Sequence, residues 1–421
     1  MEATATVQDL YTVETECRSC GSGAVTSVIK FGDTPLADRL LTEVSLHKPE
    51  PIVPLTLGFC PDCGLAQIRE TVDPEVLFFD ECPYFSSVSP SLLEHFRESA
   101  LNLIETRDLD AESFVLEAGS NDGYMLRNFA ERDIPVLGID PAEEPARTAR
   151  EKGIETRCTF FTKQRARELR AEGIQADLFL ANNVLAHVSD LNGFVEGIRI
   201  ALKSDGMAVI EVPYVVDLVD HGAFDTIYHQ HLCYFSVTAL DRLFRRHDLY
   251  LNDVERTSIH GGSLRLYVEP REHVPSSVRT LLGMERGRDV DQVEFYRSFG
   301  DRVARIRSNL RRTIDRLRAA GNRIVDTGPP PRPPRRSTTA TLRRTLRRTT
   351  STTSSTSTRT STGGMWGEAT SRSPRRSGSS RTSPTTRSSW PGTSPTRFWS
   401  SSPNLRVAGG RSSFPSPTSK S

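Results

Sequence analysis

No run of 18 consecutive apolar residues occurs in this 421-residue sequence, so we expect no transmembrane helix. Residues 1–16 lack the apolar core that a secretory signal peptide needs, so we expect no export signal. Cysteine is scarce, and its odd number of seven fits a reducing cytoplasm better than a disulfide framework. We therefore predict a cytoplasmic protein without a membrane partner.

Most of the chain has no excess of positive charge, although the formal net charge of the whole sequence is +1. Residues 1–325 hold 37 Lys and Arg against 51 Asp and Glu, a net charge of −14, whereas residues 326–421 hold 17 against 2. Such an acidic body argues against a nucleic-acid partner for the folded part of the chain. Its length suffices for two or three domains.

The last 96 residues, 326–421, differ in kind from the rest of the chain. They are rich in Ser, Thr, Pro and Arg, contain all three tryptophans, and have too few apolar residues to build a core. All but 11 of them have G or C at the second codon position, a bias that a one-base frameshift produces in a GC-rich gene. We interpret this tail as the frameshifted remnant of a C-terminal α/β domain. A genuine basic, disordered tail is the alternative.

Two C-x2-C pairs lie about forty residues apart near the N-terminus: Cys17 with Cys20, and Cys60 with Cys63. Each pair can present two thiolates to one ion, and four sulfurs complete the tetrahedral shell of structural Zn²⁺. Such a shell leaves no position for substrate, so the metal would support folding rather than chemistry. Buried cysteines without a metal, or a redox C-x-x-C, are the alternatives. We predict a zinc-binding domain over residues 10–75.

Residues 114–140 show a strand, a glycine turn, a helix and a second strand. This order is typical of the first βαβ unit of a doubly wound α/β sheet. The turn has the spacing Glu-x-Gly-x-x-x-Gly, formed by Glu117, Gly119 and Gly123, rather than the G-x-G-x-x-G of a dinucleotide turn. Asp140 ends the second strand, where its carboxylate can accept hydrogen bonds from two ribose hydroxyls. A structural turn without a ligand is the alternative.

This turn resembles motif I of class I S-adenosylmethionine methyltransferases, which implies S-adenosylmethionine as the cofactor. Asn121 in the turn and Asn182 at the end of a predicted fourth strand complete the expected cofactor site. Further strands are predicted at 176–183, 207–213 and 264–268, the last of which is expected to close the sheet. The predicted fold class is α/β: a Rossmann-like class I methyltransferase sheet with helices on both faces, preceded by a small zinc-binding domain.

Histidines follow two of these strands, at the sheet edge where open α/β folds bind ligands. His187 follows the fourth strand, and Tyr228 and His231 belong to a Tyr-His-Gln-His segment after the fifth. Imidazole titrates near neutrality, which suits removal of a moderately acidic carbon-bound proton, and the Tyr228 hydroxyl can hold the resulting enolate oxygen. An ordinary core or capping role is the alternative for the other histidines nearby, His221, His229 and His260.

Several motifs in one order resemble sugar C-methyltransferases over about residues 10–325. They are the four-cysteine module, the Tyr-Phe-Ser-Ser-Val-Ser-Pro segment that begins at Tyr84, the glycine turn and Tyr-His-Gln-His. The resemblance implies C-methylation of a nucleotide-linked deoxysugar, such as a dTDP-linked 4-keto sugar methylated at C-3. O- or N-methylation of a small metabolite is one alternative. A non-catalytic zinc protein whose basic tail binds nucleic acid is another.

The resemblance also implies a division of roles among these side chains. His231 would remove the proton next to the carbonyl, Tyr228 would place its hydroxyl at the sugar, and His187 and Tyr84 would support the site. The family usually has Tyr-His-Glu-His, whereas this chain has Gln230 at the third position. Because Gln230 cannot accept a proton or pair with an imidazolium, this departure predicts a less basic His231 or a different substrate.

The remaining boundaries follow from these assignments. We predict a methyltransferase domain over 76–270, a helical connector over 271–325 and the tail over 326–421. Within the connector, apolar residues recur at helical spacing from Val293 to Leu317. The resemblance places a further α/β domain after this helix, so we expect its apolar face to lack a partner in the chain as written.

Overall fold

The computed structural model describes residues 10–37, 50–73, 77, 85–273, 276–324 and 407–408. The predictions for Tyr84 and for nearly all of the tail lie outside these residues. The strands are β1 (Tyr11–Val13), β2 (Thr26–Pro35), β3 (Ile52–Phe59), β4 (Ala66–Ile68), β5 (Glu70–Val72), β6 (Val115–Ala118), β7 (Val136–Asp140), β8 (Thr156–Cys158), β9 (Ala176–Asn182), β10 (Leu202–Pro213), β11 (Cys233–Tyr234), β12 (Tyr250–Thr257), β13 (Ser263–Glu269), β14 (Arg323–Ile324) and β15 (Val407–Ala408). The helices are α1 (Pro90–Thr106), α2 (Arg127–Ala130), α3 (Glu143–Glu151), α4 (Lys163–Ala171), α5 (Leu191–Ala201), α6 (Val215–His221), α7 (Val237–Arg245), α8 (Ser276–Gly287) and α9 (Val293–Ala319).

A seven-stranded sheet in the order β12-β13-β10-β9-β6-β7-β8 forms the centre of the fold, which confirms the predicted fold class. Strands β6 to β10 are parallel, β13 is antiparallel to β10, and β12 is antiparallel to β13. The chain runs outward from β6 to β8 and then returns to β9 on the other side of β6. The carboxyl ends of β6 and β9 therefore meet at the topological switch point, where open α/β sheets bind ligands.

The prediction that the strand at 264–268 closes the sheet is wrong, because β12 lies outside it. All seven residues of β13 are buried, as an interior strand requires. Strand β12 exposes part of its Asn-Asp-Val-Glu-Arg sequence, and this polar pattern concealed an edge strand.

Side chains of alternating strand residues pack into two apolar layers, one on each face of the sheet. On one face, Phe179 and Ile210 pack with Phe194 of α5 in the larger cluster. On the other face, Leu180 packs with Phe96 of α1. Within the described residues, no helix combines the length and the apolar character needed to cross a membrane.

The N-terminal module contributes a second, four-stranded antiparallel sheet in the order β11-β4-β3-β2. Its fourth strand, β11, comes from the methyltransferase part of the chain, and Cys233 pairs with Gln67 while Tyr234 pairs with Ala66. Main-chain hydrogen bonds thus connect the module to a strand that begins two residues after His231.

Helix α9 covers this module and spans the residues predicted to be helical. The Tyr296 ring stacks on the Phe59 ring with a centroid distance of 4.5 Å, and Phe299 is buried as well. A Cβ on Gly300 would lie 3.0 Å from the Val28 carbonyl oxygen, so helix and strand approach closely. The expectation of an unpartnered apolar face is therefore wrong for the first half of α9. The N-terminal module that holds the four predicted zinc ligands, called the zinc module below, supplies the partner.

Candidate active site

The glycine turn follows β6 and lies at the topological switch point of the sheet. Gly119 has φ of +68°, and a Cβ there would lie 2.4 Å from the Val184 side chain, so only glycine fits. Gly123 also has positive φ, at +75°. The side-chain oxygen of Asn121 accepts a hydrogen bond from the Ser86 N–H at 2.8 Å. The turn is thus fixed by its own backbone and by the segment that leads into α1.

Glu117 is fully buried at the end of β6, beside Asn182 at the end of β9. Asn182 Nδ2 donates to Glu117 Oε1 at 3.0 Å, whereas Oε2 has no hydrogen-bond partner in the described part of the chain. Burial raises the pKa of Glu117 to about 8, against the lowering effect of the Asn182 hydrogen bond. A buried acceptor with a spare oxygen beside a glycine turn fits the α-ammonium group of S-adenosylmethionine.

The raised pKa of Glu117 predicts a pH-dependent stability. In the unfolded chain its pKa is about 4.3, so between about pH 4.3 and 8 the folded state keeps a proton that the unfolded state loses. Its stabilising contribution is complete below the unfolded pKa and is lost as the pH rises through the folded pKa. In urea titrations without ligand, we expect the unfolding free energy of Glu117→Gln to fall less than that of the parent from about pH 5.5 to 8.5. Glu131→Gln, at an exposed position, is the control and should behave like the parent. Equal pH slopes for Glu117→Gln and the parent would contradict the raised pKa of Glu117.

Asp140 ends β7 with both carboxylate oxygens bonded to backbone. Oδ2 accepts from the Asn121 N–H at 2.8 Å and Oδ1 from the Ala142 N–H at 2.9 Å. Burial raises the pKa of Asp140, while these two hydrogen bonds oppose the shift. Each oxygen retains a second lone pair. The carboxylate is therefore held in a fixed orientation beside the glycine turn and keeps capacity to accept further hydrogen bonds.

Tyr228 and His231 form a hydrogen-bonded pair on the loop between α6 and β11. The Tyr228 hydroxyl oxygen lies 2.9 Å from His231 Nε2, and His231 Nδ1 lies 2.9 Å from the Thr226 carbonyl oxygen. A carbonyl oxygen only accepts, so Nδ1 carries the proton of the neutral ring and Nε2 is the basic nitrogen. The Tyr228 hydroxyl donates to that nitrogen. The loop thus presents a base of defined tautomer together with a phenol.

His187 approaches this pair from the end of β9. Its ring centroid lies 4.7 Å from that of His231, and its Nδ1 donates to the Gln230 carbonyl oxygen at 2.8 Å. The Gln230 side chain is buried and donates to the Leu77 carbonyl oxygen at 3.4 Å. Gln230 thus orients His187 through its main chain. Three of the predicted catalytic side chains converge here, those of His187, Tyr228 and His231.

The residues that flank His231 connect the loop to the zinc module. His229 is fully buried, and its Nε2 donates to the Pro54 carbonyl oxygen at 2.9 Å, which is the structural role given above as the alternative. The Leu232 carbonyl accepts from the Ile68 N–H at 2.8 Å. The position of the basic imidazole therefore depends on the fold of the N-terminal module.

The four predicted zinc ligands come together in that module. Their sulfur atoms all lie within 4.8 Å of one another, with Cys17 and Cys63 at 3.5 Å and Cys20 and Cys60 at 3.6 Å. Zn–S bonds of about 2.3 Å in a tetrahedron place sulfurs about 3.8 Å apart, so the donor set fits Zn²⁺. Burial raises the pKa of Cys60 to about 11, which a bound cation would reverse.

A buried charged cluster near the same sheet edge was missed by sequence reasoning. Glu211 on β10 is fully buried, and its Oε2 lies 2.8 Å from His95 Nε2 and 3.2 Å from an Arg265 guanidinium nitrogen. Glu211 pairs in register with Asn182 on one side and Arg265 on the other. The three residues come from α1, β10 and β13, and no local spacing connects them.

The family models that match this chain agree with this architecture. Three family models match: a putative zinc binding domain over residues 17–78, a methyltransferase domain over 92–254 and a C-methyltransferase C-terminal domain over 258–334. The C-methyltransferase NovU of Streptomyces niveus is 33% identical over 327 residues, which are 77% of this chain and 78% of the relative. A ubiquinone biosynthesis O-methyltransferase of Bradyrhizobium sp. (strain ORS 278) is 28% identical over 133 residues, 29% of this chain and 50% of the relative. Among solved structures, magnesium protoporphyrin IX methyltransferase from Synechocystis PCC 6803 has a TM-score of 0.35 and 13% identity, covering 42% of this chain and 82% of that one.

The sheet order, the glycine turn and the matched methyltransferase domain define an S-adenosylmethionine-dependent methyltransferase with a zinc-binding N-terminal module. The match to NovU defines a more specific class, because it extends over more than three quarters of both chains. The chain therefore belongs to the C-methyltransferase family. The predicted membership of the C-methyltransferase family is confirmed. The domain boundaries and the frameshift interpretation of the tail stay hypotheses.

Proposed function

We propose that this protein transfers the methyl group of S-adenosylmethionine to a ring carbon of a nucleotide-linked keto-deoxysugar, at C-3 beside a 4-keto group. The observation that carries the proposal is the Tyr228–His231 pair. Ionising a carbon next to a carbonyl needs a base for the proton and a donor for the developing oxyanion. The pair offers both within 2.9 Å of each other, at the binding edge of the sheet.

The cofactor would lie along the carboxyl ends of β6, β7 and β9. Asp140 would accept the ribose hydroxyls, Glu117 would accept the ammonium group, and the two glycines would let the backbone approach closely. Bound there, S-adenosylmethionine supplies an electrophilic methyl carbon. The residues proposed for this site are Glu117, Gly119, Asn121, Gly123, Asp140 and Asn182.

The loop residues would divide the proton transfer between them. His231 Nε2 takes the carbon-bound proton, and the electrons of the C–H bond pass into the enolate. Because Nε2 has a single lone pair, the Tyr228 hydroxyl must first turn from Nε2 to the substrate carbonyl oxygen, where it then donates to the developing enolate oxygen. The Nδ1–H bond to the Thr226 carbonyl stabilises the imidazolium. The enolate carbon then forms the new C–C bond while the carbon–sulfur bond breaks and its electrons go to sulfur. His187 would support the pair, as would Tyr84, which lies outside the described residues.

A labelled methyl donor tests this assignment directly. We expect incubation with S-adenosylmethionine carrying a ¹³C-methyl group and a panel of dTDP-, UDP- and GDP-linked 4-keto-deoxysugars to yield a product with a carbon-bound labelled methyl in NMR spectra. Only a sugar with an acidic C–H next to its carbonyl should react. Label on oxygen or nitrogen would contradict C-methylation and favour O- or N-methylation.

A further inference from the structure

The loop that carries the Tyr228–His231 pair begins and ends at one place. Tyr214, which follows β10, forms a β-bridge with Phe235, which follows β11. The Val215 N–H donates to the Phe235 carbonyl oxygen at 3.0 Å. Because the two ends of the loop lie side by side, a group that holds both ends restricts the residues between them.

One carboxylate from α8 contacts both ends. Glu285 is fully buried, and its Oε1 accepts from the Tyr214 hydroxyl at 2.8 Å and from the Val237 N–H at 2.7 Å. Its Oε2 accepts from the Thr238 N–H at 2.8 Å and from the Thr238 hydroxyl at 2.6 Å. Two of these donors are the first N–H groups of α7, where the helix dipole favours a negative charge. The charge thus joins the start of the loop to the helix that follows it.

We propose that Glu285 is a positioning residue for methyl transfer, which holds the Tyr228–His231 loop through Tyr214 and the N-terminus of α7. Its effect on turnover rests on the function proposed above. Glu285 contacts neither member of the pair, so it acts through the backbone of the loop. Residue 285 lies in the segment matched by the C-methyltransferase C-terminal domain. The segment after the methyltransferase domain therefore controls the geometry of the catalytic loop.

A matched control separates positioning from general stability. Glu269 is also buried, and its carboxylate accepts from Asn252 at 2.6 Å and pairs with Arg107 at 3.4 Å. It lies at the end of β13, away from the strand ends that carry the loop. Glu269→Gln should therefore lower stability without disturbing the loop.

The experiment compares Glu285→Gln, Glu269→Gln and the parent as full-length, zinc-loaded proteins. Gln at 285 keeps the volume but turns an NH2 group toward N–H and O–H donors, so we expect the loop to loosen. Turnover should fall about 10- to 100-fold in Glu285→Gln, as a small misplacement of a catalytic group produces. The affinity for S-adenosylmethionine, measured by calorimetry, should stay at the parental value. Amide hydrogen exchange should accelerate over residues 224–232 but not over 263–269. Glu269→Gln should show neither the fall in turnover nor a selective acceleration over residues 224–232.

Each outcome decides the proposal. Parental turnover and loop exchange in Glu285→Gln would overturn it, as would a loss of turnover no larger than in Glu269→Gln. Faster loop exchange in a preparation whose parent methylates no sugar would support the positioning role and count against the proposed function. If Glu285→Gln does not fold, Tyr214→Phe removes only the bond to the start of the loop. It should then show the same separation of turnover from cofactor affinity, and parental turnover in Tyr214→Phe would overturn the proposal.

Discussion

Replacing His231 with Asn should abolish measurable methyl transfer while leaving the affinity for S-adenosylmethionine near the parental value. The Asn amide can still donate toward the Thr226 carbonyl, so the loop keeps a hydrogen bond at that position. It has no basic nitrogen in place of Nε2, and removing a general base lowers the rate by about 10²–10⁴-fold. Steady-state turnover and calorimetry with S-adenosylmethionine measure the two quantities separately.

His221→Asn is the matched control for this substitution. His221 is exposed at the end of α6, and its Nδ1 donates to the Gly261 carbonyl oxygen at 3.1 Å. We expect its turnover to match that of the parent. If His231→Asn also kept parental turnover, His231 would not be the base. A loss of cofactor affinity parallel to the loss of turnover would instead show that the substitution disturbs the cofactor site.

Loss of the zinc site should have the second large effect. We expect Cys60→Ser to release the metal, unfold the N-terminal module and abolish turnover, because β4 and Pro54 no longer hold the segment around His231. Structural zinc contributes about 10–16 kcal/mol of apparent binding free energy in zinc-finger peptides, comparable to the whole stability of a domain. Cofactor affinity should fall far less than turnover, since the glycine turn accepts a hydrogen bond from the Ser86 N–H and donates one to Asp140, and neither residue belongs to the module. Metal analysis, thermal unfolding and turnover together measure the effect.

Cys158→Ser controls for the loss of a thiol as such. Cys158 is exposed and lies outside the four-sulfur cluster, so this variant should keep one zinc ion per chain and parental turnover. A Cys60→Ser protein with a full equivalent of zinc would contradict the four-sulfur site. Full turnover without zinc would show that the module does not position the loop.

Local patterns account for what the sequence could predict. The glycine turn and Asp140 belong to one short βαβ unit, and the predicted zinc ligands are recognisable as two C-x2-C pairs. Strand β9 and the second half of β10 are mostly apolar because both faces of a parallel sheet are covered. Strand β9 ends within one residue of its predicted bounds, whereas β10 begins five residues before the predicted strand at 207–213.

Contacts between distant elements account for the rest. Glu285 is 48 residues from Val237 and 71 from Tyr214, and no periodicity relates them. His229 and His231 are two residues apart and equally suited to acid–base chemistry by type. Only the fold shows that one faces Pro54 and the other faces Tyr228. Similarly, the partner of α9 is a sheet formed more than 200 residues earlier, which the amphipathic spacing cannot reveal.

Exchange with solvent deuterium, with S-adenosylhomocysteine in place of the methyl donor, isolates proton removal from methyl transfer. In deuterated buffer, the parent should introduce one deuterium into a nucleotide-linked 4-keto-deoxysugar at the carbon next to the carbonyl, whereas His231→Asn should leave it unlabelled. An equal rate of labelling by both proteins, or none with a parent that methylates the same sugar, would contradict the claim that this imidazole ionises the carbon that receives the methyl group.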